Sequence, residues 1–409
     1  MKLHCFADAV ESFKKCCSLT PDDAESHSNL GAAYKYIGEK EKACRCYQRS
    51  IQLKPNHFPA IYNLALLQYE LGNFKEAKAL IQNAIKIGPT SCDAINVLGQ
   101  IEERLQNKEE AKNLYSKAIE LCPEHTGARL NRWRLLFHNL DYDAALIDSE
   151  ATSKQGYFQS LVTLYKLNRQ SEINERLEQY NSSSPHDLEI AAFVTFYETV
   201  MRTKTHYNFF CRDPFSYLLH GNLGQQLESA GTSIDKIKRD LSMLARIPDP
   251  VGLATVNGFQ TPSGGNLFKD SLPSIVLLKR ILTDEIKRYY RTFKNNPCRF
   301  ISDWPKLASL HGWQVVLKQM GHQTAHLHPG GWLSGVFYLQ TVPDLDQNEG
   351  SIEFSTNGPY FSGVNAKRLM ISPKEGDILL FPSSLYHRTV PFKTNVNRII
   401  IAFDLIRRE

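Results

Sequence analysis

Three histidines and one arginine in the last quarter of the chain have the types and spacing that metal chemistry needs. His326 and His328 are one residue apart, and two such side chains point to the same face of a strand because orientation alternates with period two. His387 and Arg398 follow on later apolar segments. Imidazole is the commonest metal ligand in proteins, and arginine matches anionic groups. The pattern predicts a metal held inside a β-barrel, with the arginine facing an anionic co-substrate.

The composition is that of an ordinary globular protein. The 409 residues are enough for two domains, and 42% of them are hydrophobic and 22% charged. The formal net charge of +5 is small for this length. The basic stretch Lys279–Arg299 is interleaved with Leu, Ile and Tyr, which is typical of the solvated face of a helix. We therefore expect no nucleic-acid partner.

The cysteines and the apolar segments indicate in which cellular compartment the protein resides. The nine cysteines include no Cys-x-x-Cys pair, which argues against both a disulfide framework and a zinc ribbon. This usage favours a reducing environment. The first residues lack an apolar run of signal-peptide length, and no segment approaches the roughly 20 apolar residues of a membrane span. We expect a cytoplasmic protein with no membrane partner.

The N-terminal half repeats itself every 34 residues. Five residue types recur at this spacing: Leu30, Leu64 and Leu98; Gly38 and Gly72; Ala9, Ala43, Ala77 and Ala111; Ile51, Ile85 and Ile119; Pro21, Pro55, Pro89 and Pro123. Glycine suits the turn between two helices, alanine lets the helices approach closely, and proline ends the second helix. The period predicts a stack of helix–turn–helix units.

The segment from Asn29 to Pro55 resembles a tetratricopeptide repeat, through its Asn-Leu-Gly-Ala-Ala-Tyr start and the recurring positions above. The resemblance covers residues 1 to about 135, and helices over Tyr157–Leu167 and Ser171–Tyr180 continue the stack in degenerate form to about residue 190. The first unit lacks its first helix, so we expect a truncated N-terminus. The resemblance implies either a supporting spacer or a concave groove for a protein or peptide.

The segment Asn181–Pro185, after the repeats, has the polar and proline-containing sequence of a linker. We expect the boundary between the two domains to lie between residues 181 and 210. Helical patterns follow over Leu188–Met201, Leu227–Leu244 and Ser274–Phe293. The glycine-rich segment Asn257–Asn266 lacks the Gly-Lys-Ser/Thr ending of a phosphate loop, and we interpret it as a structural loop.

From Trp313 onward the pattern changes to short β segments divided by turns. The predicted strands are Trp313–Met320, Leu333–Gln340, Ser351–Ser355, Arg368–Ser372, Asp377–Phe381, Leu385–Val390 and Arg398–Leu405. This spacing predicts a jelly-roll, the fold also called a double-stranded β-helix, or a closed sandwich, with flanking helices over residues 206–409. The fold class is therefore α+β multidomain, with an all-α solenoid over residues 1–190.

Part of this segment resembles a cupin. Gly376, Pro382 and His387 are spaced as in the second cupin motif, with Ser384 where that motif has glycine. Cupins also place a glutamate ligand shortly after their paired histidines, and this chain has Pro329-Gly-Gly-Trp332 there. The missing carboxylate favours another family.

Residues 310–409 resemble the Fe(II)/2-oxoglutarate-dependent oxygenases, in particular the subfamily that joins this domain to tetratricopeptide repeats. The resemblance rests on His326-x-His328-Pro, Ser334–Leu339, Glu349-Gly350, Glu375–Pro382, His387 and Arg398. It implies a dioxygenase that uses Fe(II), 2-oxoglutarate and O₂, with ascorbate in support. Such an enzyme converts 2-oxoglutarate to succinate and CO₂ and hydroxylates a C–H bond of a substrate, here unknown.

One departure concerns the ligand set. The familiar oxygenase pattern is His-x-Asp/Glu, and this chain has His328 at the second position. Three alternatives follow. The iron is held by an all-histidine triad of His326, His328 and His387; or only two histidines bind iron beside a water, as resemblance to aspartyl β-hydroxylases allows; or the site is degenerate. The resemblance also implies that Arg398 pairs with the far carboxylate of 2-oxoglutarate.

Several further residues are secondary candidates. Ser334 and Tyr338 share one face of a strand, where they either contact the 2-oxoglutarate carboxylates or pack in the core. We expect His322 to have a supporting role and His311 to lie at the surface before its strand. The weaker candidates for the missing carboxylate ligand are Asp344, Asp346 and Glu353.

A rival interpretation belongs to another class of protein. In it the chain is a non-enzymatic tetratricopeptide scaffold, and the barrel is a degenerate oxygenase or cupin-like remnant. The two interpretations differ in metal content, since the scaffold requires no stoichiometric iron.

Overall fold

The structure is a computed structural model that describes residues 2–180, 187–205, 207–250, 253–262, 265–269, 271–343 and 348–408. The chain divides into two compact units between Gln170 and Ser171, and each is described by itself. The expected linker Asn181–Pro185 lies outside the described residues. The domain bounds 1–190 and 206–409 stay predictions.

The first unit is a run of antiparallel helix pairs. Its helices are α1 (Lys2–Leu19), α2 (Ala24–Tyr36), α3 (Lys40–Leu53), α4 (Phe58–Glu70), α5 (Phe74–Ile87), α6 (Cys92–Arg104), α7 (Lys108–Leu121), α8 (Thr126–His138), α9 (Tyr142–Glu150) and α10 (Tyr157–Lys166). The first helix of successive pairs starts at residues 24, 58, 92 and 126, which repeats the 34-residue period. The tetratricopeptide solenoid is therefore confirmed, and its regular spacing continues beyond residue 135.

The turn inside each pair has a left-handed backbone. Gly38 and Gly72 have φ of 86° and 82°, and the equivalent positions in the next two pairs are Gln106 at 68° and Leu140 at 65°. A non-glycine residue in this conformation costs roughly 1–2 kcal/mol. The packing of the helices therefore imposes the turn, which is why the array continues after its glycine signal ends.

The interior of the first unit is built from small and large side chains at positions that recur in each repeat. Equivalent positions of successive repeats are fully buried: Ala43, Ala77 and Ala111, and Tyr47, Ile81 and Tyr115. A Cβ atom on Gly99 would lie 2.5 Å from the Tyr115 ring, and one on Gly31 would lie 2.7 Å from the Tyr47 ring. Close packing of neighbouring helices thus depends on these small residues.

One cysteine pair departs from the expectation of unpaired cysteines. Cys92 and Cys122 form a disulfide with their Cα atoms 6.2 Å apart, at the start of α6 and just after α7. The other described cysteines are free: Cys16, Cys17, Cys44, Cys46, Cys211 and Cys298. The repeat fold brings together two cysteines that are 30 residues apart, and no local spacing motif reveals such a pair.

The helices around the second unit are α11 (Gln170–Gln179), α12 (Leu188–Met201), α13 (Gly224–Ser229), α14 (Ile234–Ser242), α15 (Pro273–Phe293) and α16 (Arg299–Ser302). The single helix predicted over Leu227–Leu244 is wrong. The chain forms α13 and α14 instead, because Gly231 adopts a φ of 73° and ends the first of them. Among the described residues, no helix combines the length and apolar character of a membrane span.

The strands of the second unit are β1 (Leu219–Asn222), β2 (Ile247–Pro248), β3 (Thr255–Gln260), β4 (Ala308–Gln323), β5 (Leu333–Gln340), β6 (Ile352–Ser355), β7 (Arg368–Ile371), β8 (Asp377–Pro382), β9 (Tyr386–Thr389) and β10 (Arg398–Arg407). Each strand predicted after Trp313 is present. The predicted loop over Asn257–Asn266 is partly wrong, because β3 extends through Gln260 and pairs with β4.

The described strands form two antiparallel sheets, in the orders β1-β8-β5-β10-β4-β3-β2 and β7-β6-β9. Apolar side chains from both sheets share one core, including Val315, Val336, Phe354, Phe381 and Ile400. This two-layer arrangement is the predicted jelly-roll. Alternation along β10 places Arg398 and Asp404 on the same inner face as Ile400.

Candidate metal centre

The three predicted histidines meet at one end of the barrel. His326 follows β4 and pairs with His387 of β9 through two backbone hydrogen bonds of 3.0 Å. The peptide N–H of His328 donates to Ser383, which follows β8, at 3.2 Å. The ring centroids are 4.3 Å apart for His326 and His387, 5.0 Å for His328 and His387, and 5.2 Å for His326 and His328. Backbone pairing therefore assembles residues that are 61 positions apart in sequence, such as His326 and His387.

The hydrogen bonds of the rings leave one nitrogen of each free for a ligand. Nδ1 of His326 lies 2.7 Å from the carbonyl of Thr324, and Nδ1 of His387 lies 3.1 Å from that of Leu385. Nδ1 of His328 lies 2.6 Å from Oδ1 of Asp404. In each pair Nδ1–H donates, so Nε2 keeps its lone pair. One ligand atom from each ring lies within 4.8 Å of the others, and the three histidines fit the binding of iron.

Burial keeps two of these rings neutral. It lowers the pKa of His326 to about 4, with the nearby His328 adding to the effect. Burial also holds the pKa of His387 well below its ordinary value, with smaller contributions from His326 and His328. A metal ion competes with protons for imidazole nitrogens. At neutral pH it would displace no proton from these two rings.

Asp404 of β10 joins the histidine cluster, and the sequence pattern did not predict this. Its Oδ1 accepts hydrogen bonds from His328 Nδ1 at 2.6 Å and from Ser334 Oγ at 2.7 Å. A carboxylate in this position fixes the tautomer and orientation of a ligating histidine and raises its basicity. The available signal was a lone acidic residue within the apolar run Ile399-Ile-Ile-Ala-Phe403 and Leu405.

Ser334 lies in the same hydrogen-bond network as His328 and Asp404. Its hydroxyl is 3.0 Å from His328 Nδ1 and 2.8 Å from Ser383 Oγ, in addition to its bond to Asp404. All of these groups are buried. The structure thus connects Ser334 with the orientation of His328, and its contact with a 2-oxoglutarate carboxylate stays a prediction.

Arg398 and Tyr338 form a buried polar pair in the same barrel. Only 1% of Arg398 is exposed, its Nε donates to the carbonyl of Gly350 at 3.1 Å, and its guanidinium lies 5.0 Å from the centre of the Tyr338 ring. The two side chains interact electrostatically with each other, and outside this pair neither Arg398 Nη1 nor the Tyr338 hydroxyl has a hydrogen-bond partner among the described residues. Burial lowers the pKa of Arg398 and raises that of Tyr338 to about 12.

These unpartnered groups fit a carboxylate ligand. A buried polar group without a partner is costly, and a guanidinium pairs best with a carboxylate. No described carboxylate lies within ion-pair distance of Arg398. Gly350, which Arg398 contacts, is hydrogen-bonded to Val390. Val390 is three residues after His387, a separation of about 10 Å at the rise of a strand. Arg398 therefore approaches the strand that carries His387.

A cavity of about 350 Å³ opens onto His326 and His328. Besides His326, His328 and Asp404, its lining includes Leu253, Ala254, Gln260, Trp313, Gln323, Leu327, Pro329 and Gly330. Cavities of this size hold small molecules or single side chains. The metal centre is thus accessible from one face of the barrel.

Two other histidines lie outside the cluster. His322 is near the end of β4, and its Nδ1 lies 3.2 Å from the carbonyl of Met320. His311 was expected at the surface before its strand, which is wrong. It lies within β4 opposite Asp404, and burial lowers its pKa. The strand begins earlier than the apolar pattern indicates, so the histidine is half-buried.

The secondary carboxylate candidates do not join the cluster among the described residues. Glu353 forms an ion pair with Arg388 at 2.6 Å, and these two residues are direct neighbours across β6 and β9. Phe354 and His387 are the next neighbours and face the core. Alternation therefore directs Glu353 away from the histidines. Asp344 and Asp346 lie outside the described residues.

Known families match both parts of the chain. The family described as "Putative 2OG-Fe(II) oxygenase" matches residues 311–404, a range that includes the three histidines, Arg398 and Asp404. Tetratricopeptide-repeat families match residues 24–57, 46–79 and 93–125. No curated protein matches the chain.

Solved structures are similar to part of the chain. MamA is 21% identical over 41% of this chain and 91% of its own, with a TM-score of 0.33. PilF of Pseudomonas aeruginosa is 16% identical over 46% and 89%, with a TM-score of 0.41. YrrB, described as a TPR protein with an unusual peptide-binding site, is 22% identical over 44% and 96%, with a TM-score of 0.36. The family matches show that the chain carries tetratricopeptide repeats towards its N-terminus and, at residues 311–404, a domain of the 2OG-Fe(II) oxygenase family.

Proposed function

We propose that this protein is an Fe(II)- and 2-oxoglutarate-dependent dioxygenase that hydroxylates a C–H bond of its substrate. His326, His328 and His387 hold the iron, and Arg398 binds the far carboxylate of 2-oxoglutarate with help from Tyr338. The observation that carries the proposal is the buried guanidinium of Arg398, whose Nη1 has no hydrogen-bond partner among the described residues outside its pair with Tyr338, in the same barrel as three histidines with free Nε2 atoms.

The proposed ligand set is all-histidine. The usual oxygenase site combines two histidines with one carboxylate, and His328 stands where that carboxylate is expected. Asp404 supplies a carboxylate directly behind His328, at 2.6 Å from Nδ1. A negative charge hydrogen-bonded to a ligating imidazole strengthens it as a donor. This favours the triad over a two-histidine site, because His328 is already oriented as a ligand by two buried partners.

The chain's own residues have distinct roles in this proposal. Bound iron supplies the oxidative chemistry, and the protein supplies binding, orientation and electrostatics. Asp404 and Ser334 keep the proton of His328 on Nδ1. Arg398 and Tyr338 present an N–H and an O–H to one carboxylate, and their burial strengthens both bonds.

We further propose that the tetratricopeptide repeats bind a protein or peptide, either as the substrate or as a partner that brings it. The support is the repeat family itself, whose members include peptide-binding proteins. The cytoplasm stays the proposed location on the basis of the six described free cysteines, with the Cys92–Cys122 disulfide as the one observation against it. Ascorbate is the proposed reductant that keeps iron in the Fe(II) state.

Turnover of 2-oxoglutarate without a substrate tests the site directly. Succinate is measured under air with Fe(II) and ascorbate for the wild type, His387→Ala, Arg398→Ala and a control, His322→Ala. We expect iron-dependent succinate from the wild type and the control. His387→Ala should fall to the metal-free background because it removes a ligand, and Arg398→Ala should require far more 2-oxoglutarate.

The same experiment separates the enzyme from the scaffold. A wild type that forms no succinate and retains no stoichiometric iron would contradict the oxygenase and favour the non-enzymatic scaffold. Equal activity in His387→Ala would contradict the assignment of the ligands.

A further inference from the structure

A second cavity, of about 480 Å³, is lined by five cationic side chains: Lys269, Lys279, Lys287, Lys306 and Arg408. They come from the segment after β3, from α15, from the segment before β4 and from the residue that follows β10. None of its described lining residues is acidic. The formal net charge of the whole chain is only +5, so this cavity is a strong local concentration of positive charge.

Four of these five cations lack a carboxylate partner among the described residues, and Lys287 is the exception. Lys287 pairs with Asp284 at 3.0 Å, and Lys279 donates to the carbonyl of Phe268 at 3.1 Å. Lys269, Lys306 and Arg408 form no ion pair with any described residue. The peptide N–H of Arg408 donates to the carbonyl of Leu307 at 3.0 Å, which brings Arg408 next to Lys306. Converging like charges repel one another, and a bound anion relieves that repulsion.

The cavity also has an apolar floor. Phe268, Ile286, Trp304, Leu310 and Leu405 contribute to its lining. The Trp304 ring lies 5.9 Å from the Tyr289 ring and 5.1 Å from the Tyr290 ring, so two aromatic neighbours on α15 hold it in place. A ligand for this cavity needs an apolar or aromatic part as well as negative charge.

Asn266 fixes the loop that carries Lys269. Its side-chain amide donates to the carbonyl of Leu310 at 3.0 Å and accepts from the peptide N–H of Gly312 at 3.0 Å. The same carbonyl oxygen also accepts from Phe268 N–H at 3.0 Å. The loop that carries Lys269 is therefore tied to β4.

We propose that this cavity binds an organic polyphosphate of the nucleoside triphosphate class. Its volume lies within the range of small-molecule sites, and several cations match several phosphates. The apolar floor would receive the base. A nucleic-acid strand would instead require an extended basic stripe, whereas these exposed cations line a single open cavity.

The site is separate from the metal centre. Leu405, which lines this cavity, and Asp404, which lines the metal-site cavity, are neighbours on β10 and point to opposite faces. The two cavities share no lining residue. The inference therefore does not depend on the proposed oxygenase activity.

Calorimetric titration of the full chain with ATP, inorganic tripolyphosphate and adenosine tests the proposal. The pocket variant is the double substitution Lys269→Glu and Lys306→Glu. The matched control is Arg280→Glu and Lys294→Glu, which makes the same change of net charge at two cations of the α15 region outside the cavity. Thermal melting of both variants confirms that each is folded.

We expect ATP to bind more tightly than tripolyphosphate, and tripolyphosphate more tightly than adenosine. The pocket variant should weaken ATP binding at least about tenfold, since it replaces two attractive charges with two repulsive ones. The control variant and His387→Ala should bind ATP like the wild type. Absence of ATP binding, equal weakening in the control variant, or tripolyphosphate binding as tightly as ATP would overturn the proposal.

Discussion

The repeats and the barrel use their interiors differently. In the repeats, equivalent positions 34 residues apart carry the same kind of buried side chain, such as Ala43, Ala77 and Ala111. In the barrel, the inner face carries ionisable groups at single positions, such as Asp404 and Arg398, each with its own partners. The comparison shows that repetition stabilises one region, while long-range polar contacts made only once organise the other.

This contrast predicts that changes in the repeats alter stability and changes in the barrel alter chemistry. Both regions contain a buried carboxylate bonded to basic side chains, Asp148 in the repeats and Asp404 in the barrel. Substituting each of them is therefore the sharpest way to test the contrast.

The largest expected loss of stability follows Asp148→Ala. Asp148 of α9 is fully buried and pairs with Arg132 at 2.7 Å and Arg129 at 3.2 Å. Its removal leaves two partly buried cations unpaired, and should cost about 3 kcal/mol of unfolding free energy, the low end for a broken buried pair because both arginines reach solvent. The loss of stability is measured as faster amide hydrogen exchange in α8 and α9. A parallel loss of 2-oxoglutarate turnover would contradict the prediction that changes in the repeats affect stability and not chemistry.

Asp404→Asn should act on the metal rather than on stability. The amide cannot supply the negative charge behind His328, so iron affinity should fall about 10–100-fold. Competition with a chelator measures it. Asp377→Asn is the matched control, because Asp377 bonds His220 at 2.9 Å in a carboxylate–histidine pair away from the metal centre. If both variants lose iron equally, the role given to Asp404 is wrong.

Gly99→Ala tests the close packing of the repeats. The new Cβ would lie 2.5 Å from the Tyr115 ring, and overpacking of this kind costs about 1–3 kcal/mol. We expect a lower thermal midpoint with iron content and turnover unchanged. Gly330→Ala is the control, since nothing lies within 4 Å of the position its Cβ would take. An unchanged midpoint for Gly99→Ala would contradict the packing.

The smallest expected effect is a pH dependence from the buried histidines. The folded pKa values of His326 and His387 lie below the ordinary value of about 6.5, so the unfolded chain binds more protons as pH falls below that value. In metal-free protein, the contribution of these two histidines to the free energy of unfolding should therefore be fully present above about pH 6.5 and lost as the pH falls towards 4. Thermal midpoints between pH 7 and pH 5 should decline less in His387→Ala. The same decline in both proteins would contradict this origin.

Local sequence pattern was sufficient for much of the architecture. The 34-residue period predicted the helix pairs, and alternation predicted the strands after Trp313, because both signals arise within short segments. The period did not reveal that Gln106 and Leu140 continue the turns of Gly38 and Gly72. At these positions tertiary packing overrides residue preference.

The site was only partly predictable for a similar reason. The histidines and Arg398 stand in recognisable motifs. Asp404 and Ser334 gain their roles from contacts with His328 across 76 and 6 residues, which only the folded barrel creates. Strand β3 was not predicted because it contains Asn257-Gly258, a pair typical of loops. Its pairing with β4 stabilises the strand despite this local preference. Strand preference depends on neighbouring strands more than on local sequence.

The most direct test of the central claim is the dependence of 2-oxoglutarate binding on the metal. Calorimetric titration under anaerobic conditions compares the wild type with and without Fe(II), His387→Ala with Fe(II), and Arg398→Lys with Fe(II). We predict tight binding only for the iron-loaded wild type, and weaker binding for Arg398→Lys because lysine lacks the planar fork of the guanidinium. Equally tight binding without iron, or in His387→Ala, would contradict a single site shared by the histidines and Arg398.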